Sequence, residues 1–574
     1  MTEFQNLKNI LKRELAILWI FGVLLGLALI VLQIKNKLPL GAGDFVFISI
    51  LALCVALYRP RWIFFLFVGL IPLENVILVS GFLPLQLRPY QFAGIILVLA
   101  IAILRAYKRL KFDLLKPTWL DWLVFSLVPL SFLSTVNSPA KGISLKNNLI
   151  LLSFVVLYYL ARNFLRKRED LTKTAFFFVG SNLIVLIYGF YQVFADKFLA
   201  YQQAGGGRAF EVMFGRPNST FAEPDWLGIF LCFALAIIFA IVCHPALDAG
   251  SRNERLFNSH WIPAFVGMTR KTTLAIKAIL FLLLFLNLTL LTLTLSRSAW
   301  IGTAAVVFFF LLFSIFKKGL TGTKITLRNF GRQFLIVFFM LVLSISVVRL
   351  GKLSKFDLSD RARSAATSEQ KITIACDDGK NIPQTITGTE ELAKFDCRHI
   401  NLEDIGLYQS QGKIVAEIFR KDPNVMTRGQ IYQKSLGILR ENALWGVGFG
   451  TITQALGVDE RGTGLNESNI FLQIWAGCGI LGLIAFSVAV FYLFIHSFRK
   501  LSPVCPLQRW LGCPVPEDNL ERSLSIFTIL GILALLVPNL FNAGLLMGLF
   551  WLGLAAFVSI KNCENNLQQY ENRD

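Results

Sequence analysis

Histidine is nearly missing from this chain: four residues in 574. Charge is scarce as well, at 16% Asp, Glu, Lys and Arg, where soluble domains carry about 25%. The sequence has no GxxxxGK[ST], HExxH or GxSxG motif. Its nine cysteines form no zinc-type array. These absences argue against an ATP-driven pump, a zinc protease and a His-rich metal site, so no metal and no cofactor are expected. The shortage of charge excludes a string of soluble domains, the default for this length.

Apolar residues fill the space instead. They make up 55% of the chain, and the mean hydropathy is +0.60. Runs near 20 residues recur from end to end, each long enough to cross a bilayer. Candidate spans are 15–34, 44–58, 62–82, 92–105, 119–136, 144–161, 171–194, 225–242, 274–295, 299–316, 334–350, 474–497, 524–538 and 543–560. The second and fourth are short, so the reading is an all-α polytopic membrane protein with 12–14 transmembrane helices. An even number puts both termini on one side.

The net charge is +20. In a soluble protein that would suggest nucleic acid. Here the cations sit in short loops between spans, where cytoplasmic retention of Lys and Arg explains them, so no nucleic-acid partner is expected. With the N-terminus in the cytoplasm, its flank and the alternate loops hold 30 Lys and Arg, among them Arg59, Arg109, Arg162, Lys317 and Arg499. The opposite short loops hold nine. The bias predicts cytoplasmic termini. The first span has charged flanks but no small-residue cleavage site, which reads as a retained anchor.

One large extracytoplasmic loop stands out at 351–467. It contains Cys376 and Cys397, with a polar, turn-rich stretch between them, and a disulfide is expected if the compartment is oxidising. The chain therefore divides into N-terminal spans (1–204), a transmembrane core (205–350), the loop (351–467), and C-terminal spans with a cytoplasmic tail (468–574). Within the core, 243–273 has no helical or strand period. It resembles the translated form of a short palindromic repeat and reads as a cytoplasmic insertion, which discounts His244 and His260 as ligands. His399 reads as a solvated side chain of the loop.

Three segments carry polar groups where a span meets the outer surface. The first, Arg216 to Gly228, sets Arg216, Glu223 and Asp225 just before a span; Pro224 and Asp225 also suit a helix start. The second is Leu295-Ser-Arg297-Ser-Ala-Trp300, with a turn of a few residues between two spans. An arginine there can snorkel to headgroups, but so tight a turn leaves the guanidinium little freedom. The third runs from Arg428 to Gly450. Ile431, Leu436, Ile438 and Leu439 roughly share a helical face, and Gly-Val-Gly-Phe-Gly then breaks the helix. No strand precedes those glycines, so an interfacial helix ending in a Gly turn fits better than a nucleotide loop. Asn466, Glu467, Ser468 and Asn469 follow, entering the next span.

Together these segments resemble the O-antigen ligase and O-antigen polymerase superfamily of bacterial membrane glycosyltransferases. The matching positions are Arg216, Thr220, Phe221 and Pro224; Ser296 and Arg297; Arg428 through Gly450; Asn469, Leu472 and Gln473; and Gly479-Ile-Leu-Gly482. They lie within about 205–497 in the order the family shows. Where ligases usually carry His before the Asn, this chain has Ser468, which shifts weight toward a polymerase or another glycan transferase. Glu467 is the nearest residue that could act as a base.

The resemblance implies a bacterial cytoplasmic-membrane enzyme that moves a glycan from a polyprenyl-diphosphate-linked donor to a glycan, lipid or protein acceptor on the outer face, among membrane lipids and without metal or nucleotide sugar. Leaving polyprenyl diphosphate is anionic, and arginines are its natural clamp without a metal. Arg216, Arg297, Arg428 and Asn469 are the expected substrate-binding residues. Glu467, with Glu223 and Asp225 as alternatives, is the expected base toward the acceptor hydroxyl. A polysaccharide or lipid transporter is the competing class; transporters often show internal repeats and matched broken helices, and neither is visible here. Neighbouring sugar-transferase and flippase genes would favour the enzyme.

Overall fold

The structure is a computed structural model. It describes residues 2–79, 86–110, 112–198, 215–242, 270–319, 322–325, 327–354, 356–367, 369–377, 384–400, 404–421, 423–457, 465–501 and 519–571. The expected insertion therefore lies almost wholly outside the described residues.

Among the described residues, eleven helices are long and apolar enough to cross a membrane, and three shorter apolar helices accompany them. In chain order they are α1 (Thr2–Ile34), α2 (Ala42–Tyr58), α3 (Pro60–Leu70), α4 (Pro89–Ala106), α5 (Trp119–Ser134), α6 (Lys141–Phe164), α7 (Arg168–Phe198), α8 (Pro224–Val242), α9 (Arg270–Thr294), α10 (Arg297–Ile315) and α11 (Leu327–Leu350). After the large loop and its short helices α12 (Leu358–Thr367), α13 (Ile405–Ser410), α14 (Pro423–Glu441) and α15 (Ile452–Leu456) come α16 (Ile470–Leu501), α17 (Asn519–Asn539) and α18 (Gly548–Glu571). Helices are the expected solution here, because lipid satisfies no backbone polar group.

One expected span is corrected. The sequence predicts a span over 62–82, but α3 stops at Leu70. Pro72 has no N–H to continue the ladder, and the chain doubles back. There the buried Glu74 pairs with Arg88, accepts the Tyr90 hydroxyl at 3.1 Å, and accepts the backbone N–H of Gly548 at 3.1 Å.

Helix α8 is the hub. Residues Leu227–Phe239 are buried all round, as a helix without a polar face must be. Small residues bring its neighbours close: a Cβ on Gly228 would lie 2.4 Å from that of Ala299 in α10, and one on Gly302 would lie 2.5 Å from Pro538 in α17. Close backbone approach of this kind lets membrane helices gain van der Waals contact where no hydrophobic drive exists between them.

The loop connections and the helix ends beside them on one face of the bundle touch one another. The backbone N–H of Asn75 donates to Thr220, the Ser134 hydroxyl to Gly477, and the Asn147 amide to Phe449. We call this the loop face. The large loop on it is not wholly irregular. Besides a hairpin at the opposite end of α10, β1 (Phe316–Gly319) with β2 (Gly322–Ile325), the chain forms a four-stranded sheet of β3 (Glu369–Cys376), β4 (Thr385–Ile386), β5 (Cys397–His399) and β6 (Ile414–Lys421), in the order β4-β6-β3-β5. The membrane part is all α, and the sheet is an addition that the sequence reading did not contain. Ile372, Ile374, Ile386, Leu392 and Ile418 form its small core. Cys376 and Cys397 are opposite each other across β3 and β5 and are joined by a disulfide.

Candidate active site

The turn between α9 and α10 is the centre of the loop face. Thr294, Leu295 and Ser296 are fully buried, and Leu295 adopts a left-handed φ of 54°, which lets two long helices reverse within two residues. Arg297 opens α10 and is half-buried.

Arg216 reaches this turn from the segment preceding α8. Its Nε donates to the Thr294 carbonyl at 2.9 Å, and its terminal nitrogen lies 3.7 Å from Asp225. Arg216 is 9% exposed. The segment is held from below: the Thr220 hydroxyl donates to Pro72 at 2.6 Å, and the Asn75 amide donates to Phe221 at 2.8 Å. Asp225, in the first turn of α8, is half-buried, whereas Glu223 is exposed.

The third segment arrives through the connection between α17 and α18. Asn542 donates to Ser298, next to Arg297, at 3.0 Å. Phe541 carries the Arg428 guanidinium over its ring at 5.9 Å, within cation–π range. The Leu540 carbonyl accepts from Asn469 at 3.0 Å. The Tyr432 hydroxyl lies 3.3 Å from the carbonyls of both Leu540 and Ser468 and donates to one or the other. Residues 540–542 thus tie Arg428 and Asn469 to the Arg297 turn.

The helix expected from Arg428 begins earlier, at Pro423. Its buried face is Ile431, Ser435 and Leu439, while Leu436 and Ile438 flank it. The glycine run that follows is a wedge. Val447 and Gly448 donate to the Ala476 carbonyl at 2.9 and 3.0 Å, and Gly479 breaks α16 with φ 68° and ψ −177°. Gly446 and Gly479 make room for the backbone of Ala476 and Leu444, while Gly448 and Gly450 make room for the side chains of Ser138, Ser144 and Asn147.

Before α16, Asn469 caps the helix by accepting from the backbone N–H of Phe471 at 2.9 Å and of Leu472 at 3.2 Å. Ser468, at the position where ligases usually carry His, has φ 45° and turns its hydroxyl to Asn466 at 3.0 Å. Glu467 is 3% exposed, and its Oε1 has no hydrogen-bond partner among the described residues. Burial pushes its carboxyl up to about 7, against the lowering effect of its own backbone N–H. An acid near neutrality in a dry position is poised to exchange a proton. Among the described residues no group of His, Cys, Asp and Glu is arranged to hold a metal ion.

The structure therefore brings Arg216, Asp225, Arg297, Arg428 and Asn469 into one connected region, with Glu467 two residues from Asn469. Sequence reasoning missed Asn542 and Arg361, the second of which donates to Leu295 at 3.4 Å. The only sequence signal for Asn542 is a polar residue in the short gap between the last two spans.

Fold and site together describe a polytopic membrane protein with arginines linked across the face that carries its large loop. Residues 280–487 match the family model described as O-antigen ligase, which supports membership of the O-antigen ligase and polymerase superfamily. The matched stretch runs from α9 into α16 and contains Arg297, Arg428, Glu467 and Asn469 but not Arg216 or Asn542. No curated protein and no solved structure matches the chain. The family indicates a membrane glycosyltransferase-like activity.

Proposed function

We propose that this protein transfers a glycan from a polyprenyl-diphosphate-linked donor to an acceptor hydroxyl on the outer face of the cytoplasmic membrane. The observation that carries the reading is the convergence of Arg216, the Arg297 turn and Arg428 through Thr294, Ser298 and residues 540–542. Guanidinium groups pair phosphate oxygens in a fork and stay charged at any working pH. In the step proposed, the bond between the anomeric carbon and the diphosphate oxygen breaks, and the electron pair leaves with polyprenyl diphosphate. The acceptor oxygen forms the new bond to that carbon, and its proton passes to the Glu467 carboxylate. Asp225 holds Arg216 in place, and Asn469 fixes the entry to α16. Between the other candidate bases, Glu467 is favoured because Asp225 is engaged with Arg216 and Glu223 is exposed.

The test is glycan transfer by Arg297→Lys and Arg428→Lys proteins at matched membrane levels. Lysine keeps the charge and the capacity to anchor in headgroups but loses the fork. Loss of about 10²–10³ in rate is expected, by analogy with removal of one oxyanion donor. Wild-type activity in both variants would mean that these arginines are lipid anchors and that the site lies elsewhere.

A further inference from the structure

The chain reversal after α3 lies against the site and holds it at two points. Ile71, Leu73, Glu74 and Val76 are buried, yet this stretch is not helical, so its backbone needs polar partners from elsewhere. It finds them in the segment that carries Arg216. The Pro72 carbonyl accepts the Thr220 hydroxyl at 2.6 Å. The Asn75 N–H donates to the Thr220 carbonyl at 2.9 Å, and the Asn75 amide donates to the Phe221 carbonyl at 2.8 Å.

Glu74 supplies the second point, where three donors meet on one carboxylate. One oxygen takes Arg88 and the Tyr90 hydroxyl, the latter at 3.1 Å. The other takes the Gly548 N–H at 3.1 Å, at the start of α18, where the helix dipole also favours an anion. The connection that ends at Gly548 carries Leu540, Phe541 and Asn542. It is fastened midway, where the Leu545 N–H donates to Gln473 of α16 at 3.3 Å. Two adjacent residues, Glu74 and Asn75, therefore hold the two stretches that meet at the Arg297 turn: Arg216 on Thr294 and Asn542 on Ser298.

We infer that Glu74 and Asn75 are positioning residues for glycan transfer, acting through the 540–548 connection and the Arg216 segment. The inference rests on the reading given under Proposed function. The family match begins at residue 280, so part of the machinery lies in N-terminal spans outside it. The carboxylate is specific to the task. A glutamine in its place has one acceptor oxygen and turns an amide NH2 toward either Gly548 or Arg88, setting donor against donor.

The same helix carries a matched control. About three turns further along α18, Ser559 accepts from Arg162 at 3.0 Å, and Arg162 pairs with the buried Asp121 at 3.0 Å. This is also a buried ion pair tied to α18, but it lies away from the loop face.

The test compares full-length Glu74→Gln, Asn75→Ala and Asp121→Asn proteins at matched levels. Glycan transfer is measured in membranes of the native host with its own lipid-linked glycan, and hydrogen exchange by mass spectrometry in detergent. Glu74→Gln should lower the rate at saturating donor about 10- to 100-fold, the scale of a misplacement near 1 Å, and change the half-saturating donor level less. Its 540–548 peptides should exchange about 10- to 100-fold faster, for loss of a hydrogen bond to a charged group. Asp121→Asn should lower the melting temperature but leave the transfer rate and the exchange of 540–548 as in wild type. Asn75→Ala keeps the ion pair and covers the case in which Glu74→Gln does not fold. It should speed exchange of 216–223 and lower the transfer rate, each about two- to tenfold, with 540–548 still protected. Wild-type transfer by Glu74→Gln, or by Asn75→Ala where Glu74→Gln does not fold, would overturn the inference. Equal losses of transfer and of 540–548 protection in Asp121→Asn would do the same, since any weakening of α18 would then suffice. If the exchange pattern holds but Arg297→Lys and Arg428→Lys transfer normally, the hold of Glu74 on the connection stands and the donor reading fails.

Discussion

Glu467 sits at the junction of two requirements. It is buried at the entrance to α16, and its Oε1 lacks a partner among the described residues. A carboxylate there is costly to ionise, so its folded value rises from 4.5 to about 7. The sign follows directly. The neutral acid is favoured in the folded state, so the stability tied to this group is complete below about 4.5 and is lost as pH rises through about 7. The shift corresponds to about 3 kcal/mol. Catalysis runs the other way, because the base must be ionised to accept a proton. Transfer by the wild-type enzyme should therefore rise with an apparent pKa near 7, while its melting temperature in detergent falls over the same window. Glu467→Gln should melt at a temperature independent of pH there and should lack transfer. Full activity in that variant would assign the base to Asp225 or Glu223.

The element that most constrains the site is the wedge between α14 and α16. At Gly479, φ is 68° and ψ −177°, a region essentially restricted to glycine. An added Cβ would stand 2.0 Å from the Leu444 carbonyl. Gly479→Ala should destabilise by roughly 1–3 kcal/mol from backbone strain alone, and more from the clash, because neither contacting group is a flexible side chain. Gly437 is the control. It lies within helix α14 with nothing within 4 Å of its Cβ position, so Gly437→Ala should stabilise by about 0.5–1 kcal/mol. Thermal unfolding of both variants in one detergent decides the matter; similar shifts would mean that the wedge carries no strain. The resemblance located this glycine pattern, but its purpose was not readable from it. A Gly-x-Gly-x-Gly run looks the same in sequence whether it faces a phosphate or other parts of the chain, and only the Ala476 carbonyl against Gly446 and the Ser138, Ser144 and Asn147 side chains against Gly448 and Gly450 distinguish the two.

For the whole molecule, the loop-face contacts join connections separated by even numbers of helices. Asn75 meets Thr220, Asn542 meets Ser298, and Gly548 meets Glu74. One measurement of sidedness therefore orients every loop. The charge bias predicts that this face is outside. A reporter active only in the cytoplasm, fused after Lys421, should be silent, and non-reducing peptide mapping should recover a Cys376–Cys397 linked pair. An active reporter there would invert the topology and remove the site from the outer surface.

The sequence by itself determined the spans, because each must be apolar for about 20 residues and must satisfy its own hydrogen bonds in lipid. Local composition suffices for that, and so it also revealed the large polar loop and the arginines at the ends of spans. It failed where a short apolar run met a local break: the stretch 62–82 has the composition of a span, but Pro72 and the buried Glu74 turn it back. It failed again at the sheet, whose strands are short and carry Lys371, Glu417 and Arg420 among the apolar residues. The tertiary structure decided how the polar ends combine. Arg216 meets Thr294 across 78 residues, Arg361 meets Leu295 across 66, and Asn542 meets Ser298 across 244. No period in a sequence encodes such pairings. They arise when small residues such as Gly228 and Gly302 let α8, α10 and α17 pack closely, so that the ends of those helices share one face.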